Sequence, residues 1–384
     1  MSSDTHSQRL VYLDHHATTP LDPRVMTAMM PFFIAQYANP SSAHHLGRQA
    51  QRSLREARRT VQKALAAKYE SEIIFTSGAT EANTLAIIGA VARAPRPDSG
   101  HVVTTAIEHH SVHAACEQLR QRGNRVTIVG VDSEGRVLPE DIAAAMTPQT
   151  SLVSVMLANN EIGTIQPIAS IAHAVRRHGA LFHVDAVQAA GALPLDVDEL
   201  GVDLLTISAH KIYGPKGVGA LYVRRGTPIE AQFAGTQEYG LRAGTTNLAG
   251  VVGLATALRI AIAERIPETQ RVSDLRNRLE RELLATIPDA RVNGSVRCRL
   301  PGNLSLTIPG IEAIDLIEAL PDIVLSAGSA CTAGTSQPSH VLNAIGLSRS
   351  DARATVRIGV GRWTSGAEID LATRRISEFV RKVR

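Results

Sequence analysis

The sequence is poor in aromatic residues, in cysteine and in long apolar runs. Aromatic residues make up 3% of its 384 residues, too few for the stacking surfaces on which proteins hold single-stranded nucleic acids. Three cysteines, Cys116, Cys298 and Cys331, do not suggest the disulfide framework of a secreted protein. The polar N-terminus has no apolar signal core, and no stretch of about 18 apolar residues could span a membrane. We therefore expect a soluble, cytoplasmic protein without membrane attachment.

Lysine is also rare. The 40 basic residues are interspersed with 36 acidic ones, for a formal net charge of +4, and no basic run marks a nucleic-acid-binding face. We therefore expect no direct nucleic-acid binding. Only five of the basic residues are lysines: Lys63, Lys68, Lys211, Lys216 and Lys382. Each lysine can be weighed separately as a candidate for chemistry that needs an amine.

Short apolar runs alternate with longer helical patterns between about residues 70 and 225. This alternation predicts an α/β domain with a mainly parallel sheet and crossover helices. Helical patterns include Glu81–Arg93 and Ile168–His178. The seven predicted strands are Glu72–Thr76, His101–Thr105, Arg125–Val129, Ser151–Leu157, Leu181–Asp185, Leu204–Ser208 and Gly219–Val223.

A second, smaller α+β domain is predicted after a long helical pattern that runs from about Thr246 to Ile287. New strand signals follow at Asn303–Ile308 and Thr355–Gly359. We expect a large domain over residues 15–260. Residues 1–14 and 261–384 would form the small domain.

Two residues at the ends of neighbouring predicted strands suggest a bound cofactor. Asp185 closes one apolar run, and Lys211 follows the next, within Ser208–Lys211. The carboxyl edge of an open α/β sheet is where such folds bind ligands. Pyridoxal 5′-phosphate needs an amine for a Schiff base and a carboxylate facing its ring nitrogen. Asp185 could instead cap the next helix, and Lys216, in a glycine-flanked turn, is the rival amine.

Phosphate and ring contacts also have candidates. The segment Thr76–Glu81 joins a strand to a helix whose free N–H groups could hold a phosphate, and Ser208 and His210 could add donors. His109 follows another strand, and its imidazole could stack on a ring and exchange protons with a substrate. His109 and His113 could alternatively bind a metal, although no cysteine or carboxylate cluster accompanies them at ligand spacing.

Cys331 lies in Ser326–Ser336, a run of small and polar residues that cannot form a core element. A mobile loop that presents a thiol fits this composition, and an incidental cysteine is the alternative. Cys116, by contrast, lies on the apolar face of Val112–Leu119 and is expected in the core.

The chain resembles a known family, the class V aminotransferase-like cysteine desulfurases of the NifS and IscS group, over nearly its whole length. The resemblance implies the fold of type I pyridoxal-phosphate enzymes and a homodimer. The matching motifs are Tyr12–Pro20, Asn39–Ser42, Thr76–Glu81, Glu108–His109, Asn159–Gly163, His183–Gln188, Ser208–Gly217, Arg242–Thr245 and Gly328–Thr332.

The resemblance also implies a reaction, in which L-cysteine and the Cys331 thiol give L-alanine and a persulfide. Lys211 and His109 would be catalytic beside Cys331, and Asn160 and Arg357 would bind the substrate. No metal is implied in the resting enzyme, although Cys331 could briefly contact a cluster during sulfur transfer. The implied cofactor contacts are Ala79, Thr80, His109, Asn160, Asp185, Gln188, Ser208, His210, Lys211 and, toward the neighbouring subunit's cofactor, Thr245.

The implied partner is a sulfur acceptor such as an iron–sulfur scaffold or a thiolation relay. Three features depart from the family pattern: Tyr239 in Ala234–Gly240 stands where arginine is frequent, His16 stands where alanine is usual, and the chain stops at Arg384 without a longer tail. The first two could change the substrate entrance, and the third leaves the acceptor open. A transamination with an incidental Cys331 is an alternative reaction. A metal-dependent phosphoesterase built on Asp14–His16 lacks a second Asp-rich motif.

Overall fold

A computed structural model describes residues 10–93, 100–328 and 339–384. Its thirteen strands are β1 (Val11–Tyr12), β2 (Ile73–Thr76), β3 (His101–Thr105), β4 (Val126–Val129), β5 (Thr150–Met156), β6 (Leu181–Asp185), β7 (Leu204–Ser208), β8 (Gly219–Val223), β9 (Arg291–Asn293), β10 (Asn303–Thr307), β11 (Ile323–Val324), β12 (Ser326–Ala327) and β13 (Thr355–Gly359) within these ranges.

The helices in the same ranges are α1 (Pro23–Met29), α2 (Pro31–Ile34), α3 (His45–Ala64), α4 (Ala79–Ala92), α5 (His110–Gln121), α6 (Pro139–Ala145), α7 (Ile168–His178), α8 (Val197–Leu200), α9 (Leu248–Thr286), α10 (Ala313–Ala319), α11 (His340–Ala344), α12 (Arg349–Arg353) and α13 (Gly366–Val383). Three 3₁₀ turns add Glu70–Glu72, Ala209–Lys211 and Glu238–Gly240.

The large sheet has seven strands in the order β2-β8-β7-β6-β5-β3-β4. All run parallel except β8, which pairs antiparallel with β2 and with β7. The predicted α/β class and the mainly parallel seven-stranded sheet are confirmed. Strands β3, β6, β7 and β8 have the predicted bounds, β2 and β4 each begin one residue later than predicted, and β5 both begins and ends one residue earlier.

Both faces of this sheet are covered by helices, as parallel sheets require. Successive strand residues alternate between two apolar clusters; for example, Ile73 packs in one and Ile74 in the other. Helices α3, α7 and α9 contribute to the first cluster. Helices α4 and α5 contribute to the second, which contains Cys116. The predicted core position of Cys116 is therefore confirmed.

A separate apolar cluster surrounds the antiparallel sheet β12-β13-β10-β9. It joins Val11 and Leu13 to side chains from Val272 to Val380. Strand β1 reaches it by pairing parallel with β11. The domain boundaries at residues 14/15 and 260/261 stay a prediction.

Helix α9 connects the two cores. It has 39 residues and is thus about 58 Å long. Leu254 and Leu258 pack in the core of the large sheet, and Leu279 and Leu283 pack in the cluster around the small sheet. Within the described residues, no helix combines the length and apolarity that a membrane crossing needs.

We expect Leu279→Ala to lower the free energy of unfolding by about 2–5 kcal/mol, because Leu279 is fully buried and its loss leaves a cavity. Urea unfolding of the purified protein measures this change. The control is Ile266→Ala on the same helix, where the side chain is 81% exposed. An equal loss in both variants would contradict the assignment of Leu279 to a core.

Candidate active site

The carboxyl ends of β5, β6 and β7 border a cavity of about 540 Å³. Because these strands are parallel, their ends meet at one edge of the sheet. Apart from Thr245 and Cys331, every site residue predicted from the sequence lines this cavity. These residues are Ala79, Thr80, His109, Asn160, Asp185, Gln188, Ser208, His210, Lys211 and Arg357.

Asp185 and His109 are linked by a buried polar network. The Asn83 amide nitrogen donates to Asp185 Oδ2 at 2.8 Å and to Ser111 Oγ at 3.0 Å. The Ser111 hydroxyl, which accepts from Asn83, can donate to His109 Nδ1 at 2.8 Å. The Ser111 backbone N–H also donates to this nitrogen, at 3.1 Å. Nδ1 of His109 is thus an acceptor, and Nε2 carries the hydrogen of the neutral ring.

Two effects keep this imidazole neutral. Burial lowers the pKa of His109 from its usual value, and the positive charge of Lys211 acts in the same direction. The nearby Asp185 carboxylate opposes both. His109 therefore enters the cavity as a neutral ring with a defined tautomer.

Lys211 ends the turn Ala209–Lys211 directly after β7. Its Nζ donates to the carbonyl oxygens of His16 and Ala17, each at 2.7 Å. The rival Lys216 also lines the cavity, but it is exposed, whereas Lys211 is half-buried. Of the two, Lys211 has the fixed and partly desolvated position that an imine-forming amine needs.

The segment before α4 has the form of an anion cradle. Gly78 has φ = 154°, a backbone conformation that L-residues with a side chain rarely adopt. The close approach of β8 also requires glycine, because a Cβ on Gly219 would lie 2.9 Å from the carbonyl carbon of Gly78. Free N–H groups of the first turn of α4 border the cavity, as does Ser208.

His210 lies on the same side and contacts Thr18 Oγ1 through Nδ1 at 3.1 Å. Burial, with Lys211 and Lys216 nearby, lowers the pKa of His210 to about 4. This ring can therefore donate a hydrogen bond to an anion without adding a charge at neutral pH.

Arg357 brings a cation from β13 into the cavity. Its side chain is only 2% exposed and pairs with Asp14 through Nη2 and Oδ1 at 2.8 Å. Nη1 donates to the Asn160 carbonyl at 3.3 Å. The Nε atom is buried and has no partner within the described part of the chain. A buried guanidinium with donor capacity to spare is suited to a carboxylate ligand.

Gln188 contacts His16 twice. Gln188 Nε2 donates to the His16 carbonyl at 3.0 Å, and Gln188 Oε1 lies 3.0 Å from His16 Nδ1. His16 also lines the cavity. His16, which stands where alanine is usual in the family, is therefore a residue of the site itself.

Tyr239 does not border this cavity. It lies in the turn Glu238–Gly240, where both Glu238 (φ = 46°) and Tyr239 (φ = 57°) have left-handed backbone. Arg58 holds the turn through two contacts of 2.8 Å to the Glu238 carboxylate, and its guanidinium carbon lies 5.2 Å from the centre of the Tyr239 ring. The effect of Tyr239 on the substrate entrance therefore stays a prediction.

Thr245 and Cys331 are the two predicted site residues that the cavity does not include. Thr245 is exposed, a few residues before α9. Cys331 lies outside the described residues, so its loop stays a prediction. Within the described residues, no group of three or more His, Cys, Asp or Glu side chains could hold a metal ion. His113 instead packs its ring against that of His340, with centroids 5.2 Å apart.

Sequence reasoning missed Asn83, Ser111 and the pairing of Asp14 with Arg357. Asn83 had a usable signal, because it is a polar residue just before the continuous apolar segment Leu85–Ala92 of the same helix. The contact of Asp14 with Arg357 joins residues 343 positions apart, and no local pattern could indicate it.

A family model, related sequences and solved structures all agree on what this chain is similar to. The family model Aminotransferase class-V matches residues 11–371. The chain is 43% identical to "Cysteine desulfurase IscS" of Dictyoglomus turgidum, over 98% of this chain and 96% of that protein. It is also 43% identical to the Homo sapiens protein "Cysteine desulfurase", over 98% of this chain and 83% of that one. A solved "NIFS-LIKE PROTEIN" superposes with a TM-score of 0.91 at 36% identity, over 97% of this chain and all of the other.

If Lys211 is the cofactor-binding amine, Lys211→Ala should give a protein that does not fix pyridoxal phosphate covalently when borohydride is added. Mass spectrometry of the reduced protein measures the adduct. The matched control is Lys216→Ala, which removes the exposed amine of the same cavity and should keep the adduct. An adduct that survives in Lys211→Ala and vanishes in Lys216→Ala would reverse the assignment.

Proposed function

This chain belongs to the class-V aminotransferase family, in its cysteine desulfurase group, and from this premise we propose that it converts L-cysteine to L-alanine and carries the sulfur on Cys331. One observation carries the proposal. A single cavity joins the Lys211 amine, the Asp185 carboxylate, the His109 imidazole and the Arg357 guanidinium. An amine, a carboxylate, a ring and an anion-binding group are the set that this chemistry needs.

Pyridoxal 5′-phosphate is the cofactor of the enzyme, and the cavity fits it. The buried Asp185 carboxylate, held by Asn83, suits the ring nitrogen, and Gln188 is assigned to the ring hydroxyl. The N-terminus of α4 with Ser208 and His210 suits the phosphate. When bound, the cofactor supplies an electron sink for the pair released at the substrate Cα.

Two side chains of the cavity handle protons. Lys211 removes the proton from Cα of the substrate, and its contacts to the carbonyls of His16 and Ala17 keep the amine in place beforehand. His109 donates from Nε2, because Ser111 occupies its Nδ1. We therefore assign Lys211 to the removal of the Cα proton and His109 to the donation of a proton.

Arg357 binds the substrate carboxylate. Its guanidinium is fixed by Asp14 and by the Asn160 carbonyl, and a planar fork suits a carboxylate. Fixing the substrate by its carboxylate orients the bond that breaks. Asn160 lines the same cavity and completes the substrate contacts.

The sulfur step requires a thiol at this cavity. The Cys331 thiolate attacks the substrate sulfur, so that an S–S bond forms while the Cβ–S bond breaks, and Cβ takes a proton to give alanine. Strand β12 pairs Ser326 with Arg357, and Gly328 follows β12 directly. Cys331 comes three residues later, a chain length that spans at most about 11 Å. The approach of β12 to Arg357 supports the role of Cys331.

We propose a homodimer and a protein that accepts the persulfide sulfur, such as an iron–sulfur scaffold or a thiolation relay. Large apolar side chains on and after α2 support the dimer, since Phe33, Ile34 and Tyr37 are all more than half exposed. Thr245, exposed in the single chain, is assigned to the neighbouring subunit's cofactor phosphate. The cytoplasmic location stays a prediction.

Cys331→Ala should stop alanine production from L-cysteine in the absence of added thiol, because the variant has no atom to receive the sulfur. Alanine is measured by chromatography, and the cofactor absorbance should stay unchanged. Cys298→Ala, which removes a half-buried thiol elsewhere, should retain activity. Continued alanine production by Cys331→Ala at the parental rate would show that Cys331 is incidental.

Arg357→Lys should raise KM for L-cysteine roughly ten-fold or more, because lysine keeps the charge and loses the two-point fork. Steady-state kinetics measure the change. Arg353→Lys makes the same substitution at an exposed ion pair with Glu312 and should leave KM unchanged. An unaltered KM in Arg357→Lys would remove Arg357 from the carboxylate site.

A further inference from the structure

His16 is held in a compact hydrogen-bonded junction beside the proposed catalytic lysine. Its carbonyl oxygen accepts from Lys211 Nζ at 2.7 Å and from Gln188 Nε2 at 3.0 Å. Its ring Nδ1 lies 3.0 Å from Gln188 Oε1. The side-chain amide of Gln188 is therefore held at both of its polar atoms by one residue.

These contacts define the tautomer of His16. A carbonyl oxygen can only accept, so the Gln188 atom next to it is the amide nitrogen. The other Gln188 atom is then the oxygen, and Nδ1 of His16 must carry the hydrogen that lies between them. Nε2 of the neutral ring is left with a lone pair. It is buried and has no hydrogen-bond partner among the residues that the structure describes.

The surroundings keep this ring neutral and in place. Burial lowers the pKa of His16 to about 4, and the positive charges of Arg357 and Lys211 add to the effect, while the contact with Gln188 opposes it. The backbone also fits the ring closely, since a Cβ on Gly359 would lie 3.0 Å from His16 Cδ2. The ring has little room to turn and no charge to attract water at neutral pH.

We propose that His16 is a positioning residue that fixes the Gln188 amide with its nitrogen, and not its oxygen, available to the ring hydroxyl of the cofactor. The inference rests on the proposed function, which assigns Gln188 to that hydroxyl. Nε2 of Gln188 has two hydrogens, and one of them is used by the His16 carbonyl. The second is the donor that Gln188 can offer to a ligand.

The physical effect depends on the charge of the ring oxygen. An ionised oxygen is stabilised by an N–H donor and repelled by an amide oxygen. Rotating the Gln188 amide about its last bond would place its oxygen against the His16 carbonyl and its nitrogen against the Nδ1–H of His16, so both contacts penalise the rotated state. Without the imidazole, only the backbone carbonyl opposes rotation, and the N–H donor is present for less of the time. The chromophore of the bound cofactor then takes up a proton more readily, which means that its pKa is raised.

The first test is an absorbance titration of the holoenzyme. We expect His16→Ala to raise the pKa of the bound chromophore by up to about one unit, the effect of one neutral hydrogen bond. The chromophore pKa of His16→Asn, a variant that keeps a side-chain N–H, should be closer to that of the parent protein. The matched control is His15→Ala, since His15 contacts the Gly359 carbonyl and not Gln188.

The double variant distinguishes positioning from a general structural effect. If His16 acts through Gln188, His16→Ala with Gln188→Ala should titrate like Gln188→Ala alone. The inference is wrong if the shifts in chromophore pKa of the two single variants add in the double variant. It is also wrong if His16→Ala alone leaves this pKa unchanged.

A second test does not need the cofactor. Nitrogen-15 spectra of the cofactor-free protein with labelled histidine should show the hydrogen of His16 on Nδ1, with the His16 signals identified by their loss in His16→Ala. A hydrogen on Nε2 overturns the inference. A parent protein that stays colourless with added pyridoxal phosphate instead overturns the proposed function, so the two failures are distinguishable.

Discussion

The parallel alignment of β5, β6 and β7 is the constraint on which the rest of the site depends. Asp185 is in register with Met156 on one side and with Thr206 on the other, so β5 and β6 end together and β7 ends two residues further along, at Ser208. The antiparallel β8 then returns beside β7 and places Gly219 opposite Ser208 and, on its other side, opposite Thr76. The anion cradle before α4 is thereby brought to the edge that carries Asp185 and the turn with Lys211.

The segment that follows β1 is the second determinant. It leaves the pairing of β1 with β11, next to the small sheet, and its carbonyls at His16 and Ala17 then accept from Lys211. On the way, Asp14 pairs with Arg357 of β13. The Arg357 guanidinium and the Lys211 amine are therefore held by one short stretch of chain, although Arg357 lies on the small sheet and Lys211 follows a strand of the large one.

Local patterns in the sequence predicted most of the large sheet and the long helix α9, but not the three shortest strands. Strands β6, β7 and β8 are mainly apolar and buried, and their predicted bounds are confirmed. Strands β1, β11 and β12 have two residues each, too short for any periodicity to indicate. They exist because partners distant in sequence supply their hydrogen bonds.

The same division applies to the site. Asp185 and Lys211 could be predicted because Asp185 ends a strand and Lys211 comes shortly after one, and the strand order brings them to one edge. The contact of His16 with Gln188 spans 172 positions, and it depends on the path of a segment that has no regular structure. The resemblance identified position 16 as unusual, but only the geometry shows what the imidazole contacts.

The three histidines that line the cavity carry no charge, and this determines which side chains supply its positive charge. Burial and the nearby cations lower the pKa of His16, His109 and His210, so these rings are neutral at physiological pH. Hydrogen bonds give His16 and His109 opposite tautomers, with the hydrogen on Nδ1 in one and on Nε2 in the other.

The positive charge of the cavity is consequently confined to lysine and arginine side chains. Glu81, a carboxylate at the rim, is paired with Arg242 at 2.8 Å, and Asp14 is paired with Arg357. The Asp185 carboxylate is held by the Asn83 amide and by the Val187 N–H. Anionic groups of the ligands therefore meet fixed cations and helix N–H groups, while the neutral imidazoles supply direction without competing for the same charge.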